Sequence, residues 1–178
     1  MKRQEIVFRA AAAMTIDGRI TDSRGHFSKW GSKEDHRYLD HLIEQHDAVI
    51  FGRITYEHVV VRGTFRKPVV VLSTKAKTFS KTKGVTFLDP NEKDVLQYFR
   101  SKGYRNILIL GGTQVYTYFL HKKLIQEFFV TIEPWFFSSG KTLLRSRSFD
   151  PTRFRLQEVK RLNADGTLLL HYKICTDD

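Results

Sequence analysis

Cysteine is almost missing from this chain: Cys175 is the only one among 178 residues. An intramolecular disulfide and a cysteine-rich metal site are therefore excluded. Long apolar runs are missing too. Nothing approaches the roughly 20 consecutive apolar residues needed to span a bilayer. The opening Met1-Lys2-Arg3-Gln4-Glu5-Ile6-Val7-Phe8-Arg9 is basic, but Glu5 and Arg9 interrupt any apolar stretch, so a cleaved signal peptide is not expected. Together these absences favour the cytoplasm. The seven histidines show no HExxH or similar spacing, so no metal is assigned. His36, His41 and His46 recur at five-residue intervals, which does not gather them on one helix face, and they read as surface residues.

Charge is the compositional extreme, at +11. Such a balance fits a nucleic-acid partner or a surface that attracts small anions. The basic residues are scattered: Lys75, Lys77, Lys81 and Lys83 in one loop, Lys122 and Lys123 in another, Arg145 and Arg147 in a third. There is no basic helix, zinc-finger spacing or aromatic RNA-binding signature. A small anionic ligand is favoured over nucleic acid, and a basic nucleic-acid-binding domain without catalysis stays as the alternative.

The 41% apolar content fits a globular chain, and no repeat or linker divides it, so residues 1–178 read as one domain. Ile6 to Ala13 is a small apolar strand. A long loop follows, with Asp17-Gly18 inside it. Ser32 caps a helix to about Gln45, with Asp35 as its capping-box partner and Tyr38, Leu39, Leu42 and Ile43 on the buried side. Further strands are expected at 48–51, 68–72, 85–88 and 107–110, and further helices from Arg53, at 92–102 and at 114–122. Strands alternating with helices predict a parallel α/β sheet. The rhythm then changes. Strands at 126–133, 153–161 and 167–174, the last two joined by Asn163-Ala164-Asp165-Gly166, predict antiparallel additions to one edge of a mixed sheet. In the last strand Leu168, Leu170, Tyr172 and Ile174 share a face. Phe128-Phe129 and Trp135-Phe136-Phe137 form an aromatic cluster expected in the core or a subunit interface.

Two stretches run from an apolar strand through glycine into a helix: Val49-Ile50-Phe51-Gly52-Arg53-Ile54-Thr55 and Ile107-Leu108-Ile109-Leu110-Gly111-Gly112-Thr113-Gln114-Val115-Tyr116. Glycine permits the turn and the close approach of a ligand. The helix that follows presents free N–H groups and the positive end of its dipole. Two such turns suit a phosphate-bearing ligand stretched along a sheet edge, as a dinucleotide would lie.

These residues also carry a family resemblance. Ala12-Ala13-Met14-Thr15-Ile16-Asp17-Gly18-Arg19-Ile20 resembles the opening of the reductase domain of the riboflavin-biosynthesis deaminase–reductase. Gly52-Arg53-Ile54-Thr55-Tyr56-Glu57 is similar to a turn of dihydrofolate reductase, and Gly111-Gly112-Thr113-Gln114-Val115-Tyr116 to a turn shared across that superfamily. The resemblance spans nearly the whole chain. It implies a dihydrofolate-reductase-like, mainly parallel mixed sheet flanked by helices, and an oxidoreductase that uses NADPH and works as a homodimer. The GxGxxG of a Rossmann fold is absent.

Residue by residue, the resemblance puts Ala12 and Ala13 at the nicotinamide end, and Asp17, Gly18 and Ile20 in a loop closing over the cofactor. Gly52, Arg53, Ile54 and Thr55 would hold the diphosphate, with Arg53 reaching the 2′-phosphate beside Ser73, Thr74 and Lys75. Gly111, Gly112, Thr113, Gln114, Val115 and Tyr116 would pack on the nicotinamide and pyrophosphate. Thr15, Ser28, Trp30 and Ser32 are the expected substrate contacts. The expected substrate is a 5-amino-6-(5-phosphoribosylamino)uracil-type pyrimidine of riboflavin biosynthesis, with dihydrofolate as the alternative. Leu110 stands where the riboflavin enzymes commonly carry a substrate-holding glutamate, and Leu42-Ile43-Glu44 lacks their arginine. The proton donor is a water or an acid such as Asp17. Dihydrofolate reductases keep one acid on their first helix. Glu34, Asp35 and Asp40 lie on that helix here, and the sequence singles out none of them.

Overall fold

The structure is a computed structural model that describes residues 5–26, 30–59, 66–79, 82–145 and 151–175, Val59 by its backbone alone. The described chain runs β1 (Val7–Thr15), α1 (Lys33–Glu44), β2 (Ala48–Gly52), α2 (Arg53–Val59), β3 (Val69–Leu72), β4 (Val85–Leu88), α3 (Glu92–Lys102), β5 (Asn106–Ile109), α4 (Thr113–His121), β6 (Ile125–Glu133), β7 (Phe154–Arg161) and β8 (Leu168–Ile174). All eight strands join one sheet in the order β4-β3-β2-β5-β1-β6-β8-β7.

The inner strands carry near-continuous apolar runs because both of their faces are covered. Val49, Ile50, Val70, Val71, Ile107, Leu108 and Ile109 are all fully buried. On one face α3 and α4 supply Val95, Phe99, Val115, Phe119 and Leu120, which meet Phe8, Ala10, Phe128 and Val130 of the sheet. Phe8 lies 5.8 Å from Phe99 and 5.2 Å from Phe119 between ring centres. Burying each such ring contributes roughly 1.5–3 kcal/mol. On the other face α1 lays Leu42, Tyr38, Leu39 and Ile43 over Ala11, Val49, Leu108 and Phe129. The alanines of β1 let helices approach this central strand from both sides.

β6 departs from the expected antiparallel addition. It runs parallel to β1, with Ala13 beside Thr131 and Thr15 beside Glu133. Helix α4 returns the chain to the starting edge, so β6 must point the same way as β5. Among the eight described strands only β7 and β8 are antiparallel to the rest of the sheet or to each other. The expected face of β8 is also only half the story. Leu170 and Tyr172 pack toward the α3/α4 side, but the residue of β8 buried most deeply is Leu169, on the opposite side. Its neighbour strand β6 is covered on both faces, so both faces of β8 take apolar residues.

Two further expectations are corrected. His46 is a core residue, 3% exposed, with Nδ1 bonded to the Leu42 carbonyl at 2.6 Å, because it caps the end of α1 where the chain dives into β2. The capping box at Ser32 is only half made. Ser32 Oγ accepts from the Asp35 N–H at 3.2 Å, but the Ser32 N–H donates to Glu133 Oε1 of β6 at 2.7 Å. A tertiary partner has displaced the local one, which leaves the Asp35 carboxyl for other work. The hairpin turn at 163–166 and the Gly103 stop of α3 stand as expected, Gly103 in the left-handed conformation at φ 71°.

Candidate active site

Parallel strands end on one edge. Here β1, β2, β3, β5 and β6 bring Thr15, Gly52, Leu72, Ile109 and Glu133 to that edge, next to the N-termini of α1, α2 and α4. The two glycine turns meet there, because β2 and β5 are neighbours. The Gly52 N–H donates to the Gly111 carbonyl at 2.6 Å. A Cβ on Gly52 would lie 2.9 Å from Val115 Cγ2, and one on Gly112 would lie 3.1 Å from Thr55 Oγ1. The starts of α2 and α4 therefore converge closely, most tightly at Gly52. Gly111 has φ +97°, and a Cβ on it would strike the Tyr116 ring at 2.8 Å. The peptide bond between Gly111 and Gly112 is cis.

Gly112 caps α4 without a side-chain acceptor, and its carbonyl takes the N–H groups of Val115 and Tyr116. The first turn thus presents backbone donors, and the helix dipole adds to their pull on an anion. Arg53 opens α2 on the same edge and forks onto Glu57 at 2.8 and 2.9 Å. Ser73, Thr74 and Lys75 follow β3, the strand beside β2. Ser73 Oγ accepts from the Lys75 N–H at 3.1 Å, and Thr74 and Lys75 are exposed. This is a glycine-lined cradle with cations at one end, and it fits a dinucleotide with an extra phosphate.

Val115 and Tyr116 are corrected as side-chain contacts. Both are buried in the protein: Val115 packs on Gly52, and the Tyr116 hydroxyl donates to the Ala11 carbonyl at 2.5 Å. Only their backbone serves the turn. Thr113 uses its hydroxyl on the Thr142 carbonyl at 2.6 Å, whereas Gln114 is exposed. Ile54 is 42% exposed at the mouth. Ala12 and Ala13 lie in β1 directly below this edge, Ala13 beside Thr131.

The Asp17–Ile20 loop is held against the segment that follows β6. Ile20 N–H donates to Lys141 O at 2.8 Å, and the Asp17 carboxylate accepts from the N–H groups of Phe137 and Ser138 at 3.2 and 2.9 Å. The hydrogen bond from the Thr15 hydroxyl, helped by those from Phe137 and Ser138, holds the Asp17 carboxyl below its ordinary value. A carboxylate kept ionised in this way is a poor proton donor. Gly18 sits at φ +74° in the turn, and its N–H donates to the Thr15 carbonyl at 2.9 Å.

Two of the four residues expected at the substrate are engaged within the protein. Thr15 is fully buried, its hydroxyl spent on Asp17 and on the Arg19 N–H. Ser32 is spent on its cap and on Glu133. Ser28 lies outside the described residues. Trp30 packs edge-on against Phe137, ring centres 5.3 Å apart, and its buried Nε1 donor has no partner among the described residues.

The acid that the sequence leaves unranked, and that the structure singles out, is Asp35. It is 7% exposed on the first turn of α1, against the end of β6. Burial pushes its carboxyl above the ordinary aspartate value, and the charge of Glu133 adds to the rise. A hydrogen bond with Thr131 and the proximity of His36 oppose it. In the sequence it stands in a capping-box pattern, which points to a structural role, and is one of three acids on the first helix with nothing to rank it above Glu34 or Asp40. Glu34, by contrast, pairs with Arg37 at the surface, and Asp40 is exposed.

Residues 7–168 match the RibD C-terminal domain. The chain belongs to that family. It is the family of the riboflavin-pathway reductase domain, as the motifs implied. The uncharacterized protein YwjB of Bacillus subtilis is 26% identical over 97% of this chain and 98% of its own length. The diaminohydroxyphosphoribosylaminopyrimidine deaminase/5-amino-6-(5-phosphoribosylamino)uracil reductase of Thermotoga maritima superposes with a TM-score of 0.79 at 18% identity, over 97% of this chain and 58% of that one. Dihydrofolate reductase from Enterococcus faecalis, solved with NADP(H), gives 0.68 at 17% identity, over 94% of this chain and 96% of that one. The fold is therefore dihydrofolate-reductase-like. Among the described residues no helix is long and apolar enough to cross a membrane.

Proposed function

We propose that residues 1–178 form one cytoplasmic NADPH-dependent reductase domain acting on a 5-amino-6-(5-phosphoribosylamino)uracil-type pyrimidine. The observation that carries this reading is the juxtaposition at one sheet edge of the double glycine cradle and the buried acid Asp35. Reducing a C=N or C=O bond needs a hydride and a proton. The bound cofactor supplies the hydride. Gly52, Gly111, Gly112 and the open first turn of α4 hold its pyrophosphate, and Arg53, Ser73, Thr74 and Lys75 its 2′-phosphate.

Asp35 supplies the proton in this reading, in place of Asp17. Its site keeps the acid protonated to higher pH than a surface aspartate, as proton donation near neutrality requires. Thr131 holds the carboxyl in position. The net positive charge favours a phosphorylated substrate. Dihydrofolate is the second candidate, favoured by Asp35 itself, since dihydrofolate reductases keep their acid on the first helix.

The homodimer reading draws support from β7. A bulge between Leu156 and Glu158 puts Leu156 and Val159 on one side, opposite Tyr172 and Leu170 of β8. Both are exposed, at 46% and 54%, on a sheet edge. The test of the function is steady-state NADPH oxidation with the phosphoribosylaminopyrimidine beside dihydrofolate. Turnover of the pyrimidine supports the reading. Turnover of dihydrofolate alone reverses the ranking, and failure to bind NADPH overturns it.

A further inference from the structure

Glu133 is an unusual residue to find at the floor of this edge. It is 2% exposed and among the largest fully buried side chains. Oε1 accepts the Ser32 N–H and Oε2 accepts the Thr167 hydroxyl, each at 2.7 Å. Thr167 is itself fully buried, and Asn163 grips it at 2.9 and 3.0 Å while reaching Glu34 at 3.4 Å. Glu133 thus ties the end of β6 to the start of α1 and to the β7–β8 turn. Among the described residues no Lys, Arg or His forms an ion pair with it.

A buried carboxylate is expensive, and its cost is met when a cation pairs with it. Both oxygens of Glu133 accept, so a glutamine would lose one of the two bonds, yet the bonds leave the negative charge without a cation. That charge sits against the first turn of α1, whose cap Ser32 holds both Glu133 and the N–H of the buried Asp35.

We propose that Glu133 is a positioning residue for the Asp35 acid: it fixes the first turn of α1 on β6 and sets a carboxylate beside Asp35, so that Asp35 enters the reaction carrying its proton. The proposal rests on the reading of Asp35 as the proton donor. The titratable groups around Asp35 are Glu133 from β6, Tyr116 from α4, and His36 and Glu34 from α1. Of these, Glu133 raises Asp35 and His36 lowers it. A negative charge close to a buried carboxyl disfavours that carboxyl's own ionisation. Glu133 receives two donors at 2.7 Å, whereas Asp35 shares one hydrogen bond with Thr131.

The test is a ¹³C-carboxyl NMR titration of the full chain, with the Asp35 signal assigned by its loss in Asp35→Asn. In Glu133→Gln the Asp35 midpoint moves to lower pH. In Thr167→Val, which removes a hydrogen bond and keeps the charge, the midpoint stays raised. An unchanged midpoint in folded Glu133→Gln overturns the proposal, and so does an equal fall in Thr167→Val. If Glu133→Gln does not fold, Glu133→Ser, whose smaller side chain leaves room for water to serve both donors, answers the same question. The activity readout is separate. If Asp35→Asn keeps full turnover while the midpoint moves as expected, Asp35 is not the donor, although its coupling to Glu133 stands.

Discussion

Gly111 and Gly112 are neighbours, yet their substitution should fail in different ways. Gly111 has φ +97°, and its added Cβ would meet the Tyr116 ring at 2.8 Å. That ring cannot swing aside, since it is 3% exposed and its hydroxyl holds Ala11. A side chain forced into the left-handed region costs about 1–2 kcal/mol, and overpacking a core adds about 1–3 kcal/mol. Gly111→Ala should therefore lose about 2–5 kcal/mol, a fall in Tm of roughly 5–15 °C for a chain of this size. Gly112 has φ −85°, open to any residue, and its Cβ would meet only the Thr55 hydroxyl at 3.1 Å. Gly112→Ala should stay within about 1 kcal/mol of the parent. Gly112→Val should also fold, while its methyls fill the cradle and weaken NADPH binding at least about tenfold. Urea unfolding and NADPH fluorescence titration, run on all three variants, separate the effects. A Gly111→Ala protein as stable as the parent would refute the packing argument. Normal NADPH affinity in folded Gly112→Val would make the turn purely structural.

Asp35 should leave a trace in stability. Its raised folded pKa means that its contribution is full below 3.8 and is lost as pH rises through the folded value. Asp35→Asn should thus gain stability over the parent as pH rises from about 4 to about 8, while losing turnover; urea midpoints that run parallel across that range would contradict the assignment. The parent should bind NADPH more tightly than NADH by roughly 1.5–3 kcal/mol, the range for a charge-assisted contact. Arg53→Ala should narrow that gap, and Glu57→Gln, which frees Arg53, should leave it equal or wider; equal dissociation constants for the two cofactors in the parent would remove these residues from the site. Val159→Lys on the β7 edge should shift a dimer to monomer in light scattering, and a monomeric parent would dispose of the homodimer.

Local chemistry made much of this protein readable in its sequence. Apolar runs at β2, β3 and β5 can only be strands buried on both faces, and the Ser32 and Gly103 signals are steric and hydrogen-bonding properties of a few adjacent residues. The two glycine turns were legible for the same reason: a strand, a glycine and a helix start are contiguous. The direction of β6 was not, because a strand's own residues do not say which neighbour it joins. His46 could not be placed for a similar reason, since its burial depends on where the chain turns after α1.

The site divides along the same line. Gly52 and Gly111–Gly112 announced a cradle in one dimension, and the sheet order then made them neighbours. Asp35 and Glu133 are separated by 98 positions, and nothing in either segment links them. Ser32 and Asp35 looked like a closed local pair until β6 brought Glu133 to the Ser32 N–H. The sequence by itself determined which segments are strands, helices and glycine turns, since those follow from the residues next to one another. Only the tertiary structure decided which carboxyl is buried, because desolvation and charge act through space and not along the chain.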